Sequence, residues 1–194
     1  MSSGDPQTRK RLLQKTWQLL ERSRGHEVRI DDIAHAAGLS RQAVYLHFGS
    51  RARLLIATAR YVDEVKGVEA RVEGLRAATD GRQSLDALVD FWGNYMPEIH
   101  GLAKALLAAR ETDKAAAAAW DDRMEVLRQC CRSIVRCLVR EGLLAQEWTA
   151  DQAADAMWGI LSIEVWERLT MECGWTNPQY ITRMKTALRR TFVK

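Results

Sequence analysis

Proline, cysteine pairs, strand signals and long apolar runs are all scarce or missing in this chain of 194 residues. With three prolines, long uninterrupted helices are permitted. The four cysteines, Cys130, Cys131, Cys137 and Cys173, show no CxxC spacing, and no histidine lies near them in sequence. A zinc site is not supported by that pattern, no metal is expected, and the thiols are read as reduced structural groups. No apolar run approaches the ~20 residues that a membrane span needs. The polar, basic stretch 1–15 is not followed by the apolar core of a secretory signal. A cytoplasmic protein with no membrane partner is therefore expected. Period-2 alternation bounded by tight-turn pairs is absent, which argues against sheets. Phosphate-cradling glycine loops, nucleophile elbows and HExxH pairs are absent too. No catalytic residue and no cofactor are expected.

The chain does have helical periodicity, and positive charge gathered in one place. Residues 1–60 hold eleven Lys and Arg against five Asp and Glu, while residues 61–194 hold eighteen against twenty. The first part thus carries +6 and the remainder −2, which together give the formal +4. A local basic excess of this kind points to a polyanionic partner there.

Asp5-Pro6 opens a first helix, with Leu12, Leu13, Trp17 and Leu20 at helical spacing and an end at Gly25. Short helices follow over about 31–37 and 41–48, separated by Gly38 and a capping Ser40. Ser50 caps a longer helix running to about residue 78, with Gly67 and Gly74 as weak points. Beyond it the pattern predicts helices over about 84–95, 98–109 (opened by Pro97), 113–140, 150–173 and 177–193. The expectation is an all-α protein of about nine helices. An N-terminal helix-turn-helix domain (1–52) would precede a larger helical domain (53–194).

Residues 30–48 read IDDIAHAAGLSRQAVYLHF. Two short helices around a glycine turn fit the helix-turn-helix plan. Ile30, Ile33, Ala34, Ala37, Leu39, Val44 and Phe48 form the candidate core, leaving Arg41, Gln42, Tyr45, Leu46 and His47 outward. Arg pairs bidentately with guanine and Gln with adenine, and Tyr and His donate to phosphate oxygens.

The flank YLHFGSRARLL, with DDIAHAAGLS upstream of it, resembles the TetR family of bacterial transcriptional regulators over about residues 8–56. The resemblance implies a dimer that binds double-stranded operator DNA and a small-molecule effector. It places Arg41 and Gln42 at base-reading positions, Tyr45 and His47 at backbone-contacting ones, and Arg51 as a phosphate ligand. Leu46 offers apolar contact, and Ser40 is counted with the group. The chain departs from the family at Ala43, where a hydroxyl that touches phosphate is missing, and at Val28-Arg29, where a helix cap is missing. Asp31 complements the dipole of its helix but repels phosphate, and Arg29 can restore a phosphate contact.

Six of the seven tryptophans lie after residue 90. Candidate liners of an effector pocket are Trp92, Tyr95, Met96, His100, Trp120, Met124, Leu127, Cys131 and Trp158, which favour an apolar or aromatic ligand. The 150–173 segment is apolar on two sides and the last helix on one. Ile160, Ile163, Trp166, Ile181, Met184 and Leu188 are the candidate homodimer seam. The expected function is a ligand-responsive repressor. Two other classes stay open at this point: a small all-helical enzyme using the Trp-rich cavity, and a helical dimer acting on a protein partner.

Overall fold

The computed structural model describes residues 5–23, 28–76 and 78–194. Among them are ten α-helices: α1 (Pro6–Ser23), α2 (Ile30–Ala36), α3 (Arg41–Phe48), α4 (Arg51–Val65), α5 (Val68–Arg76), α6 (Gly81–Arg110), α7 (Lys114–Arg140), α8 (Ala150–Ile160), α9 (Ile163–Glu167) and α10 (Asn177–Phe192). A π-helical turn, Arg168–Glu172, follows α9. No strand occurs among the described residues; one antiparallel bridge joins Leu144 and Val193.

The chain forms two compact units, one from residues up to Val68 with Ile99–Arg123, the other from Glu69–Glu98 with Met124–Lys194. In the first, α1 packs on α2 and α4, and α3 packs on both α2 and α4. Its core is Leu12, Leu13 and Leu20 of α1, Ile33 of α2, Val44 of α3, and Leu54, Leu55 and Val62 of α4, all at most 3% exposed. Two buried threonines interrupt it without leaving an open polar group: the Thr16 and Thr58 hydroxyls donate to the carbonyls of Leu12 and Leu54, both at 2.8 Å. Gly101 of α6 meets the end of α1 at close range. A Cβ there would lie 2.5 Å from the Leu20 carbonyl oxygen, so only glycine fits.

The start signals read from the sequence correspond to real caps. Asp5 accepts from the backbone N–H of Gln7 and Thr8, both at 3.1 Å. Its hydrogen bond from the Thr8 hydroxyl, then that from Gln7, hold its carboxyl below the usual range. Ser40 accepts from Ala43 N at 3.2 Å and Ser50 from Arg53 N at 3.1 Å. The turns between these short helices use left-handed glycines, Gly38 at φ 65° and Gly49 at φ 74°. The expected stop at Gly25 lies outside the described residues.

Three expected elements differ. The helix from Arg51 ends at Val65 rather than near residue 78, because Gly67 adopts φ 61° and α5 starts afresh. Pro97 does not open a helix but sits inside α6. A mid-helix proline costs about 3 kcal/mol. Burial of Trp92, Tyr95 and Met96 before it and of Leu102, Ala103 and Leu106 after it offsets that cost, at roughly 1.5–3 kcal/mol per large side chain. The single helix expected over 150–173 is instead broken. Leu161 leaves the helical region at ψ 32°, and Ser162 caps α9 by accepting from Val165 N at 3.3 Å.

In the second unit, α10 lays Tyr180, Met184, Leu188 and Phe192 into the core. Ion pairs from Lys185 to Asp90 (2.6 Å) and from Arg189 to Asp86 tie it to α6. Gly93 allows the close approach, since a Cβ there would lie 2.4 Å from the Ile181 side chain.

Candidate nucleic-acid interface

The core of α3 is its Val44–Phe48 edge, 1% and 6% exposed. One side of the helix is thereby committed to the interior, and an outward stripe of Arg41, Gln42, Tyr45 and Leu46 is left, all four exposed. Leu46 is 65% exposed, an apolar side chain standing alone on a polar face.

Arg41 is not loose on this stripe. Its Nη1 donates to Asp31 Oδ2 at 3.1 Å, from α3 back to the first turn of α2. Its guanidinium also lies 5.7 Å from the Tyr45 ring centroid. Interaction with Tyr45, then the charge of Asp31, raises the Arg41 pKa above its ordinary value. The structure thus adds a partner for Arg41 to the helix-dipole and phosphate-repelling roles that the position of Asp31 implies. The signal was a carboxylate at the start of the first helix of the pair, ten residues before the arginine.

The other nucleic-acid candidates fall in three places. Arg29 is exposed just before α2, with its backbone N–H donating to Asp32 at 3.2 Å. Exposed Ser40 spends its side chain as an acceptor on the α3 cap. Arg51 is half-buried, and its Nε donates to the Val28 carbonyl at 3.2 Å. That bond pins the start of α4 to the chain entering α2 and uses none of the terminal nitrogens of the guanidinium. His47 stands apart from the stripe. Six residues beyond Arg41, it is about 240° around the helix, and it lines a different cleft with Arg9, Arg53 and Arg60.

The effector candidates are divided between the units. Trp120 is buried and His100 half-buried in the first. Trp92, Tyr95, Met96, Leu127 and Cys131 are buried in the second, with Met124 and Trp158 half-buried. Trp158 and Met124 do meet: the indole N–H donates to the Met124 carbonyl at 3.2 Å. Arg128 lies over the same indole ring at 5.4 Å while its guanidinium pairs with Asp155 at 2.7 Å. Tyr180, absent from the sequence-derived set, joins Trp92. The hydroxyl and the indole N–H are both buried without a hydrogen bond of ordinary geometry. Burial pushes the Tyr180 hydroxyl far up, and facing Trp92 offsets this only in part. Cys131 is likewise pushed up, to about 12, by burial first and by the neighbouring Cys130 second. Among the described residues no group of three or more His, Cys, Asp or Glu is arranged to hold a metal ion.

The six seam candidates differ in how much surface they keep in the single chain. Ile163, Trp166, Met184 and Leu188 are 1%, 6%, 5% and 1% exposed in the single chain, so their apolar surface is already used within the protomer. Ile160 and Ile181 are half-buried and retain surface for a partner.

Residues 12–58 match the profile of the family described as bacterial regulatory proteins, tetR family. The HTH-type transcriptional activator FasR of Mycolicibacterium smegmatis is 38% identical over 73 residues, 37% of this chain and 32% of FasR. The match therefore spans about a third of that relative's length. Solved structures match far more of the fold. A putative transcriptional regulator from Saccharomonospora viridis in complex with choline aligns at TM-score 0.80 and 20% identity, covering 97% of this chain and 98% of that one. FadR from Bacillus subtilis in complex with stearoyl-CoA aligns at 0.71 and 13%, covering 94% and 96%. At such identities the likeness is one of fold.

Proposed function

We propose that this chain, whose residues 12–58 match the tetR family profile, is a member of that family and a ligand-responsive transcriptional regulator, acting as a repressor, that binds a pseudo-palindromic operator as a homodimer. The observation that carries this reading is the exposed stripe Arg41, Gln42, Tyr45 and Leu46 on the second helix of a helix-turn-helix anchored in the core by Val44 and Phe48. Arg41 and Gln42 read base edges in the major groove, and Leu46 meets a thymine methyl. Tyr45, Arg51, Arg29 and Ser40 serve the phosphate backbone. Residues 1–52 are the DNA-binding domain and residues 53–194 the effector and dimerisation domain. Dimerisation uses the accessible side of Ile160 and Ile181 and sets two α3 helices about one helical turn, ~34–36 Å, apart. No helix among the described residues is long and apolar enough to cross a membrane.

The effector is a mainly apolar or aromatic molecule received by the Trp-rich helices. The buried Trp92 N–H and Tyr180 hydroxyl, which face each other without a hydrogen bond of ordinary geometry, supply one polar anchor, since such groups are costly until a ligand completes them. The stearoyl-CoA in one neighbouring structure carries a long apolar acyl chain, in keeping with this reading. Induction requires a ligand that favours the conformer with the wrong helix spacing, because only differential affinity shifts the equilibrium. The test is fluorescence anisotropy on duplex DNA at several salt concentrations, with wild type and Arg41→Ala. Specific binding that falls on Arg41→Ala supports the reading. Wild type that binds every duplex equally refutes it.

A further inference from the structure

Beside the helix-turn-helix, and facing away from the α3 stripe, the first unit has a cleft of about 460 Å³ between α1 and α4, closed at one end by the last turn of α3. Its charge is lopsided. Arg9, Arg53, Arg60 and His47 line it, with Glu64 as the only carboxylate. Arg53, Arg60 and Glu64 recur at i, i+7 and i+11, one exposed face of α4 opposite its buried stripe of Leu55 and Val62.

The cations are left available. Arg53 and Arg60 have no ion pair among the described residues, and Glu64 does not engage Arg60 although they are one turn apart. Arg9 stacks its guanidinium over the Phe48 ring at 5.1 Å, which orients it and uses none of its N–H donors. Gly49, at φ 74°, keeps clear the space beside Arg53; a Cβ there would lie 3.2 Å from Nη1. On the wall, the Tyr61 hydroxyl accepts from Gln14 Nε2 at 3.0 Å, so that ring is held in place. Three guanidiniums converging on one concavity repel one another until an anion enters, and their planar forks suit phosphate oxygens.

We propose that this cleft is a second, anionic ligand site that takes a phosphate-bearing group, separate from base reading by α3 and from the Trp-rich effector region. The chemistry is that of clustered phosphates, with Arg53 and Arg60 as the principal ligands, Arg9 and His47 completing the rim, and the apolar wall accepting the attached group. Two sources carry this chemistry: a soluble di- or triphosphate, and a stretch of DNA backbone outside the recognised half-site.

The experiment uses the full chain, inorganic pyrophosphate and ATP as probes, and the variants Arg53→Ala/Arg60→Ala and Arg53→Lys/Arg60→Lys. Both positions are exposed, so circular dichroism should show unchanged helix content. Calorimetry measures pyrophosphate and ATP binding; anisotropy measures duplex binding with half-sites alone and with extended flanks. Binding of either probe that drops about tenfold or more in the Ala pair, and recovers in part in the Lys pair, supports a soluble ligand. A loss of duplex affinity confined to extended flanks, with a salt slope lower by about two per protomer, supports the DNA backbone as the source. If neither probe nor extended duplex distinguishes the Ala pair from wild type, the proposal is overturned, and the base-reading role of Arg41 is left unaffected.

Discussion

Replacing Arg41 by alanine should change which sequences are bound more than whether DNA is bound. In the free protein the guanidinium is held by Asp31 at 3.1 Å and by the Tyr45 ring at 5.7 Å. Both members of the ion pair are about 60% exposed (59% and 61%). Such a pair is screened and easily exchanged. Asp31 therefore presents Arg41 in an extended position without competing strongly against a guanine edge. A lost bidentate base contact weakens binding by about 5- to 150-fold. Since a dimer loses two, the expected loss on the preferred operator is at least ~25-fold. Non-specific affinity should fall only by the loss of one positive charge per protomer. Asp31→Asn removes a negative charge from the phosphate-facing side and frees Arg41. It should raise affinity for all duplexes a few-fold and narrow the ratio of preferred to random sequence. In the Arg41→Ala background the narrowing should vanish, because it acts through Arg41, while the general gain persists. The assay is anisotropy on an operator selected from random DNA and on a scrambled duplex of equal length, at matched salt. An unchanged ratio in Arg41→Ala would refute the base-reading assignment, and a narrowing that survives in the double variant would refute the coupling to Asp31.

Arg51→Ala should weaken all duplexes alike and lower the salt slope by about one per protomer, seen by titrating salt; it should also cost some stability through the lost bond to the Val28 carbonyl. Ile160→Glu should yield folded monomer by sedimentation. Leu188→Glu should instead destabilise the protomer by roughly 3 kcal/mol or more, since Leu188 is 1% exposed within its own chain; a folded Leu188→Glu monomer would contradict that placement. Gly101→Ala should cost about 1–3 kcal/mol in urea unfolding, because its Cβ would meet the backbone of Leu20 and Glu21.

The parts of the fold that depend on local chemistry were readable from residues alone. Ser40, Ser50 and the left-handed Gly38 and Gly49 mark the corners of the helix-turn-helix, and each acts through its own side chain or backbone within a few residues. Pro97 misled because its local penalty is outweighed by apolar burial along α6, which no short window reveals. The break at Leu161 had a signal, Ser162 followed by Glu164, but the surrounding apolar spacing masked it. Met184 and Leu188 show the other limit. Periodicity reports that a side chain is buried, not whether its own chain or a second copy buries it. The pairing of Asp31 with Arg41 and the place of Tyr180 are not legible for a related reason: both come from what lies opposite them, Arg41 and Trp92, on other helices.

The central claim is that this protein recognises duplex DNA by sequence through paired α3 helices. Selecting bound duplexes from a random pool with the full chain, then measuring the enriched sequences, tests it directly. The account predicts an inverted repeat with half-site centres about one helical turn apart, bound far more tightly than scrambled DNA and losing that preference in Arg41→Ala. A pool that returns no enriched sequence, or a single half-site with no symmetry, would contradict it.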